Sequence, residues 1–181
     1  MNESVKLELP FDENTKRENY RFFFQYRWKK SLGELKRVII YAVLFLSLGF
    51  IPSIAIKIGQ PSVIFRYGSF LFIGYIFYLL YRYFASKKEA YKLVEKQIND
   101  YKRQQKRIDF ILLNKDSITI ESPFQTLGSD WDSTSYKIIS RFLILNILQG
   151  KLSFILTKSE FKENDYNVLM DFLQKYSKQE N

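Results

Sequence analysis

Two long apolar stretches break into an otherwise alternating and charged chain. The first, Val38 to Ile56, contains no charged residue. The second centres on Tyr67 to Tyr81 and extends back through Val63, Ile64 and Phe65, interrupted by Arg66. A helix rises 1.5 Å per residue and a bilayer core is about 30 Å thick, so about 20 apolar residues are needed to cross it. The first stretch meets that length. The second meets it from about Ser62 to Phe84, with Arg66 near the outer interface and its stem reaching the headgroups. In lipid, backbone groups must bond within their own segment, so both stretches are predicted helices. Both are apolar on all sides apart from Ser47, Ser53, Ser69 and several glycines, whereas a soluble core helix usually keeps a polar stripe. Gly59, Gln60, Pro61 and Ser62 are turn formers that suit a tight connection. Pro52 is expected to kink or loosen the end of the first span.

The flanks read differently. Val5 to Leu9 alternates apolar and polar with period two, a strand signal ended by Pro10. Thr15 and Glu18 are spaced as a capping box at a helix start, with Asp12 as a competing cap. The helix that follows has Tyr20, Phe23, Phe24, Trp28, Leu32 and Leu35 at helical spacing and leads into the first span. After the second span the helix continues: from Ser86 to Arg107 there is no proline or glycine, and Leu93, Val94, Ile98 and Tyr101 form one narrow apolar stripe. This part reads as a charged stalk.

From Ile108 the period changes again. Ile108 to Leu113 and Ile118 to Glu121 are a predicted hairpin around Asn114 to Asp116. A short strand is expected around Thr126, and further strands at Tyr136–Ile139, Phe142–Leu148 and Leu152–Leu156, with Gln149 and Gly150 turning between the last two. Asn164 or Asp165 then caps a helix with Val168, Leu169, Phe172, Leu173 and Tyr176 on one face. Lys158 to Phe161 is the strand-to-helix turn, with Phe161 buried. The expected fold is an α+β membrane protein in which a two-helix transmembrane hairpin joins a small antiparallel sheet domain capped by a C-terminal helix. Its parts are an N-terminal strand and juxtamembrane helix over 1–37, the hairpin over 38–84 (about 38–56 and 62–84), the stalk over 85–107, and the C-terminal domain over 108–178. The first strand is available to complete that domain's sheet.

Charge adds orientation. The chain has 181 residues and a formal net charge of +9. Arg27, Lys29, Lys30, Lys36 and Arg37 precede the first span, and Arg82, Lys87, Lys88 and Lys92 follow the second. The connection carries Lys57 and Arg66. Lys and Arg near span ends stay cytoplasmic, so both termini are expected in the cytoplasm of a multi-pass cell-membrane protein. Lys29, Lys30, Lys36, Arg37, Lys87 and Lys88 are then candidate contacts to anionic lipid or a partner. No nucleic-acid motif accompanies the basic excess. The chain has no cysteine and no histidine, so thiolate nucleophiles, histidine bases and histidine metal sites are excluded, and no cofactor is expected.

The stretch from Ile108 to Ser122, the isolated Trp131 between Asp130 and Asp132, Lys137 to Ile147, Gln149 to Phe161 and the helix from Asn164 to Tyr176 together resemble the YcxB-like protein family. The likeness runs through nearly the whole chain and contains no catalytic signature. It implies a bacterial membrane protein with a pleckstrin-homology-like C-terminal domain, and it transfers no active site. Here Trp131 is followed by Asp132 and Ser133, which departs from the family's usual pattern.

The functional expectation is a membrane-anchored cytoplasmic interaction or regulatory module without catalytic activity. Its partners would be the bilayer and a protein at the cytoplasmic domain. Trp131 reads either as a core ring or as the lining of a binding groove. Two alternatives compete: an immunity-type or regulatory protein acting on a membrane partner, and an enzyme. The enzyme's candidate carboxylates are Asp109, Asp116, Asp130 and Asp132. Asp130 and Asp132 would share a face if their segment is extended. Small residues (Gly49, Ser53, Gly68, Ser69 and Gly74) could seat helix contacts within the hairpin or in a homo-oligomer.

Overall fold

A computed structural model describes residues 4–50, 61–104 and 108–180. The expected kink at Pro52 and the turn at Gly59 and Gln60 lie outside these residues. The fold is α+β. Strand β1 (Val5–Pro10) is followed by two long helices, α1 (Glu13–Phe50) and α2 (Pro61–Arg103). Then come β2 (Ile108–Leu113), β3 (Ser117–Glu121), β4 (Thr126–Asp130), β5 (Ser135–Ile139), β6 (Phe142–Ile147) and β7 (Leu152–Thr157). Helix α3 (Asp165–Tyr176) and a two-residue strand β8 (Lys178–Gln179) close the chain. It divides into two compact units, one of Met1–Phe23 with Leu93–Asn181, the other of Phe24–Lys92.

The first unit holds both sheets. One runs β1-β2-β3-β4, antiparallel throughout, with Val5 opposite Leu113 and Leu9 opposite Asp109. The N-terminal strand therefore does complete the sheet begun at Ile108, across the whole intervening helical segment. The other sheet runs β7-β6-β5-β8. Its first three strands are antiparallel, and β8 lies parallel to β5. Alternation directs Leu7, Leu9, Ile111, Leu113, Ile118 and Ile120 inward from the first sheet. Tyr136, Leu143, Leu145, Ile147 and Leu156 come in from the second, and all join one buried core. Leu169 and Leu173 of α3, both 0% exposed, close it; burying each leucine is worth about 1.5–3 kcal/mol.

Three local expectations change. Asp12, not Thr15, caps α1: its Oδ2 accepts the Thr15 N–H at 2.7 Å, and the helix begins at Glu13. The acceptor one residue before the helix reaches the third helical amide, so Thr15 and Glu18 fall inside it. Pro61 is the first residue of α2 and not part of a turn. Its missing N–H costs nothing at that position. The charged stalk expected at the end of α2 is packed along one face. Val94 and Ile98 are buried, Glu95 meets Arg17 at 2.7 Å, and Lys102 meets Glu13 at 2.6 Å.

The second unit consists of the remaining lengths of α1 and α2, which touch along a line of aromatic residues. Trp28 lies edge-on to Tyr83 with ring centroids 5.4 Å apart. Phe45 meets Phe65 and Phe72 at 5.4 and 5.0 Å. Gly68 permits the close approach, since a Cβ there would stand 2.8 Å from the Phe45 ring.

Candidate functional site

In the second unit the notable surface is apolar and open. Ile40, Val43, Ile64, Tyr67, Phe70, Leu71, Phe77 and Tyr81 are all more than half exposed. Helix α2 over Val63–Arg103 is long and apolar enough to cross a membrane. Of the first apolar stretch, residues 51–56 lie outside the described residues.

The basic candidates sit on this unit's surface. Lys29, Lys30, Lys36, Arg37, Lys87 and Lys88 are all exposed. Among the described residues, none of Lys29, Lys30, Lys36 and Arg37 takes part in an ion pair. Nearby, Glu34 accepts a 2.6 Å hydrogen bond from the Tyr75 hydroxyl. Arg82 lies over the Tyr78 ring at 5.7 Å. On the other side of the apolar band, Arg66 Nε donates to the Gly49 carbonyl at 2.7 Å.

The first unit contains a cavity of about 310 Å³ lined by residues of β1, the start of α1, the end of α2, both sheets and the β3–β4 loop. Its walls are largely apolar: Leu9, Phe11, Ile98, Ile120, Phe124 and Phe154 among others. Phe11 stacks on Tyr101 at 4.8 Å, and Phe124 meets Tyr101 edge-on at 4.9 Å. One polar cluster lies in this wall. Asp109 is 8% exposed and accepts the Tyr101 hydroxyl at 2.7 Å, with Lys16 Nζ 3.4 Å from its other oxygen. Tyr101 lies beyond the apolar stretch that ends at Phe84. Burial first, and then its bond to Asp109, hold its hydroxyl well above the ordinary tyrosine range. A pocket of this size, apolar with a few convergent polar groups, is the usual form of a small-molecule or side-chain receptor. Among the described residues no group of acidic, histidine or cysteine side chains could hold a metal ion.

The remaining sequence candidates separate. Trp131 is 5% exposed, its indole N–H donates to the Asn114 carbonyl at 2.9 Å, and its ring stacks on Tyr176 at 5.9 Å. It is a core ring, packed against Phe172 and Tyr176 of α3. Asp130 and Asp132 do not share a strand face. Asp130 ends β4, and Trp131–Ser133 turns as a 3-10 helix, which replaces period two by period three. Both are exposed. The same loop turns on Thr134, whose hydroxyl donates to the Asp130 carbonyl at 2.8 Å.

Lys16 was not a sequence candidate, and its meeting with Asp109 depends on β1 bringing α1 beside β2. A signal for the buried carboxylate did exist: Asp109 has the inward parity of Ile111 and Leu113. Asn19 was also missed. It is 3% exposed and donates to the Ile155 carbonyl and to Glu160, both at 3.0 Å, tying the first turns of α1 to the end of β7. The chain matches no known family model, no curated protein and no solved structure.

Proposed function

We propose that this chain is a membrane-anchored binding module of YcxB-like type. The apolar lengths of α1 and α2 sit in the bilayer, and the α+β unit stands in the cytoplasm. The observation that carries this reading is the open apolar surface of α2, where Ile64, Tyr67, Phe70 and Leu71 are each about two-thirds exposed or more. Such residues in water would be an aggregation surface, while in hydrocarbon they meet their own kind. The basic crowd on one side of that band favours cytoplasmic termini. Four antiparallel strands followed by three more, closed by a C-terminal helix, support a pleckstrin-homology-like architecture with the membrane helices inserted after its first strand. The role is binding and not catalysis, and the cavity beside Asp109 and Tyr101 is the receptor for a partner side chain or small ligand.

Alkaline carbonate extraction of membranes from cells expressing the full chain tests the anchor. The polypeptide should stay in the pellet, and release of the intact chain into the supernatant would overturn the reading. The chain's lack of cysteine makes orientation equally direct. A cysteine introduced at Ser153 should react with an impermeant maleimide only when the cytoplasmic face is accessible.

A further inference from the structure

The contacts within the second unit fix which residues of α1 and α2 lie at the same height. Glu34 is level with Tyr75, Trp28 with Tyr83, and Tyr41 with Phe72. The length of α2 from Tyr75 to Tyr83 therefore lies beside the charged part of α1, not beside its apolar part from Val38 onward. Hydrocarbon reaching Phe84 would surround three charged residues, Glu34, Lys36 and Arg37, whereas a boundary at Tyr75 leaves one, Arg66, below the line, and its Nε is bonded to the Gly49 carbonyl. From this register, and resting on the membrane reading above, we propose that the bilayer boundary crosses the helix pair at Arg37 and Tyr75. The cations above that line, Lys29, Lys30, Lys36, Arg37 and Arg82, hold anionic phospholipid headgroups.

Helical geometry gathers four of these cations. Lys29 and Lys36 are seven residues apart, as are Lys30 and Arg37. Two turns return each pair to nearly the same azimuth, so the four form two rows about 100° apart over a length of about 12 Å. The Lys29 and Lys36 row lies opposite the azimuth of Val38, Ala42 and Phe45, which meets α2, and the Lys30 and Arg37 row flanks it. Side chains on a helix lean toward its N-terminus, which carries these ammonium and guanidinium groups up, out of the hydrocarbon. Glu34 is the one acid between Phe24 and Phe84, and it is bonded to Tyr75. One acid against these cations leaves a net positive charge for an external anion. Trp28, Tyr75, Tyr78, Tyr81 and Tyr83 lie along the same length of the helix pair, about 12 Å, and amphipathic rings collect in the headgroup layer. Directly below, Ile40, Val43, Phe70 and Leu71 are more than half exposed, which makes the anionic site continuous with the acyl-chain surface. Phospholipid phosphate meets both requirements.

Two measurements on the full chain test this. Single cysteines replacing Phe70, Phe77, Tyr81 and Phe84 are spin-labelled in vesicles of phosphatidylcholine and phosphatidylglycerol, and accessibility to oxygen and to a water-soluble nickel complex is compared. Labels at 81 and 84 should favour nickel and the label at 70 oxygen, with the crossover near 77. Oxygen preference at all four sites would overturn the boundary while leaving the anchor intact. Nickel preference at all four, including 70, would overturn the anchor itself. In the second measurement, spin-labelled phosphatidylglycerol should associate with the protein about fivefold more strongly than spin-labelled phosphatidylcholine, the factor expected from one cation's attraction near a surface. Replacing Lys29, Lys30, Lys36 and Arg37 by glutamine should abolish the preference, and salt should weaken it. Equal association of the two lipids with the unmodified chain, or an unchanged preference in the variant, would overturn the headgroup site.

Discussion

The indole N–H of Trp131 donates to the backbone carbonyl of Asn114, 2.9 Å away, and so pins the turn between β4 and β5 to the β2–β3 hairpin. The ring is roofed by Phe172 and Tyr176 of α3. Trp131→Ala should destabilise the α+β unit by about 3–5 kcal/mol through the cavity it leaves. Trp131→Phe should cost less but still about 1–3 kcal/mol, because the Asn114 carbonyl loses its partner away from water. Urea unfolding of the full chain in nonionic micelles, followed by the amide protection of β2, β3 and α3, measures both. A Trp131→Phe variant as stable as the unmodified chain would contradict the hydrogen bond's role, and equal losses in the two variants would contradict the cavity term.

The buried carboxylate of Asp109 supports Tyr101. Asp109→Ala should leave that hydroxyl without its acceptor and cost about 1–3 kcal/mol, whereas Asp109→Asn keeps an acceptor oxygen and should cost less. A thermal melt of the two variants side by side separates them. Identical losses would mean that the nearby Lys16 charge, not the Tyr101 bond, is what Asp109 serves.

The cap at Asp12 makes the start of α1 sensitive to acid. Hydrogen bonds from Thr15 hold its carboxyl below the ordinary aspartate range. A folded value below the unfolded one means the cap's contribution is complete above about pH 4, the unfolded aspartate value. It fades as pH falls through the lower folded value. Amide exchange at Thr15 and Lys16 should accelerate relative to the rest of α1 across that fall. Asp12→Asn should remove the pH-dependence and keep the cap, and Asp12→Ala should cost about 1 kcal/mol at neutral pH.

Two glycines of α2 should respond in opposite ways. A side chain at Gly68 meets the Phe45 ring, so Gly68→Leu should weaken the helix pair by about 1–3 kcal/mol. Around Gly74 a Cβ would meet nothing within 4 Å, so Gly74→Ala should be neutral or stabilising by about 0.5–1 kcal/mol. Unfolding in mixed micelles with increasing dodecyl sulfate reads both. Equal effects would mean that α1 and α2 do not approach at Gly68.

Much of the fold was legible along the chain because its elements announce themselves locally. The alternation of Ile108 to Leu113 yields β2 over the same residues, and the face Val168, Leu169, Phe172, Leu173, Tyr176 yields α3. Gln149 and Gly150 turn between β6 and β7, where Leu148, Gln149 and Gly150 all take positive φ. Strand β8 was not legible: two polar residues carry no period, and they are a strand because β5 has an open edge beside them. Asp130 and Asp132 failed in the other direction. Their shared face assumed period two, and Trp131, seeking the core, winds the backbone into a 3-10 turn.

The sequence alone determined what each segment can tolerate as surroundings, because hydrophobic period and helix or turn chemistry act over a few residues. It was enough for the α+β class, the long apolar helix, the buried Phe161 and the absence of thiol and imidazole chemistry. Only the tertiary structure decided which distant segments meet: β1 beside β2, Lys16 beside Asp109, Glu34 level with Tyr75. Those pairings depend on how whole faces fit together and share their buried hydrogen bonds, and no single segment contains that information.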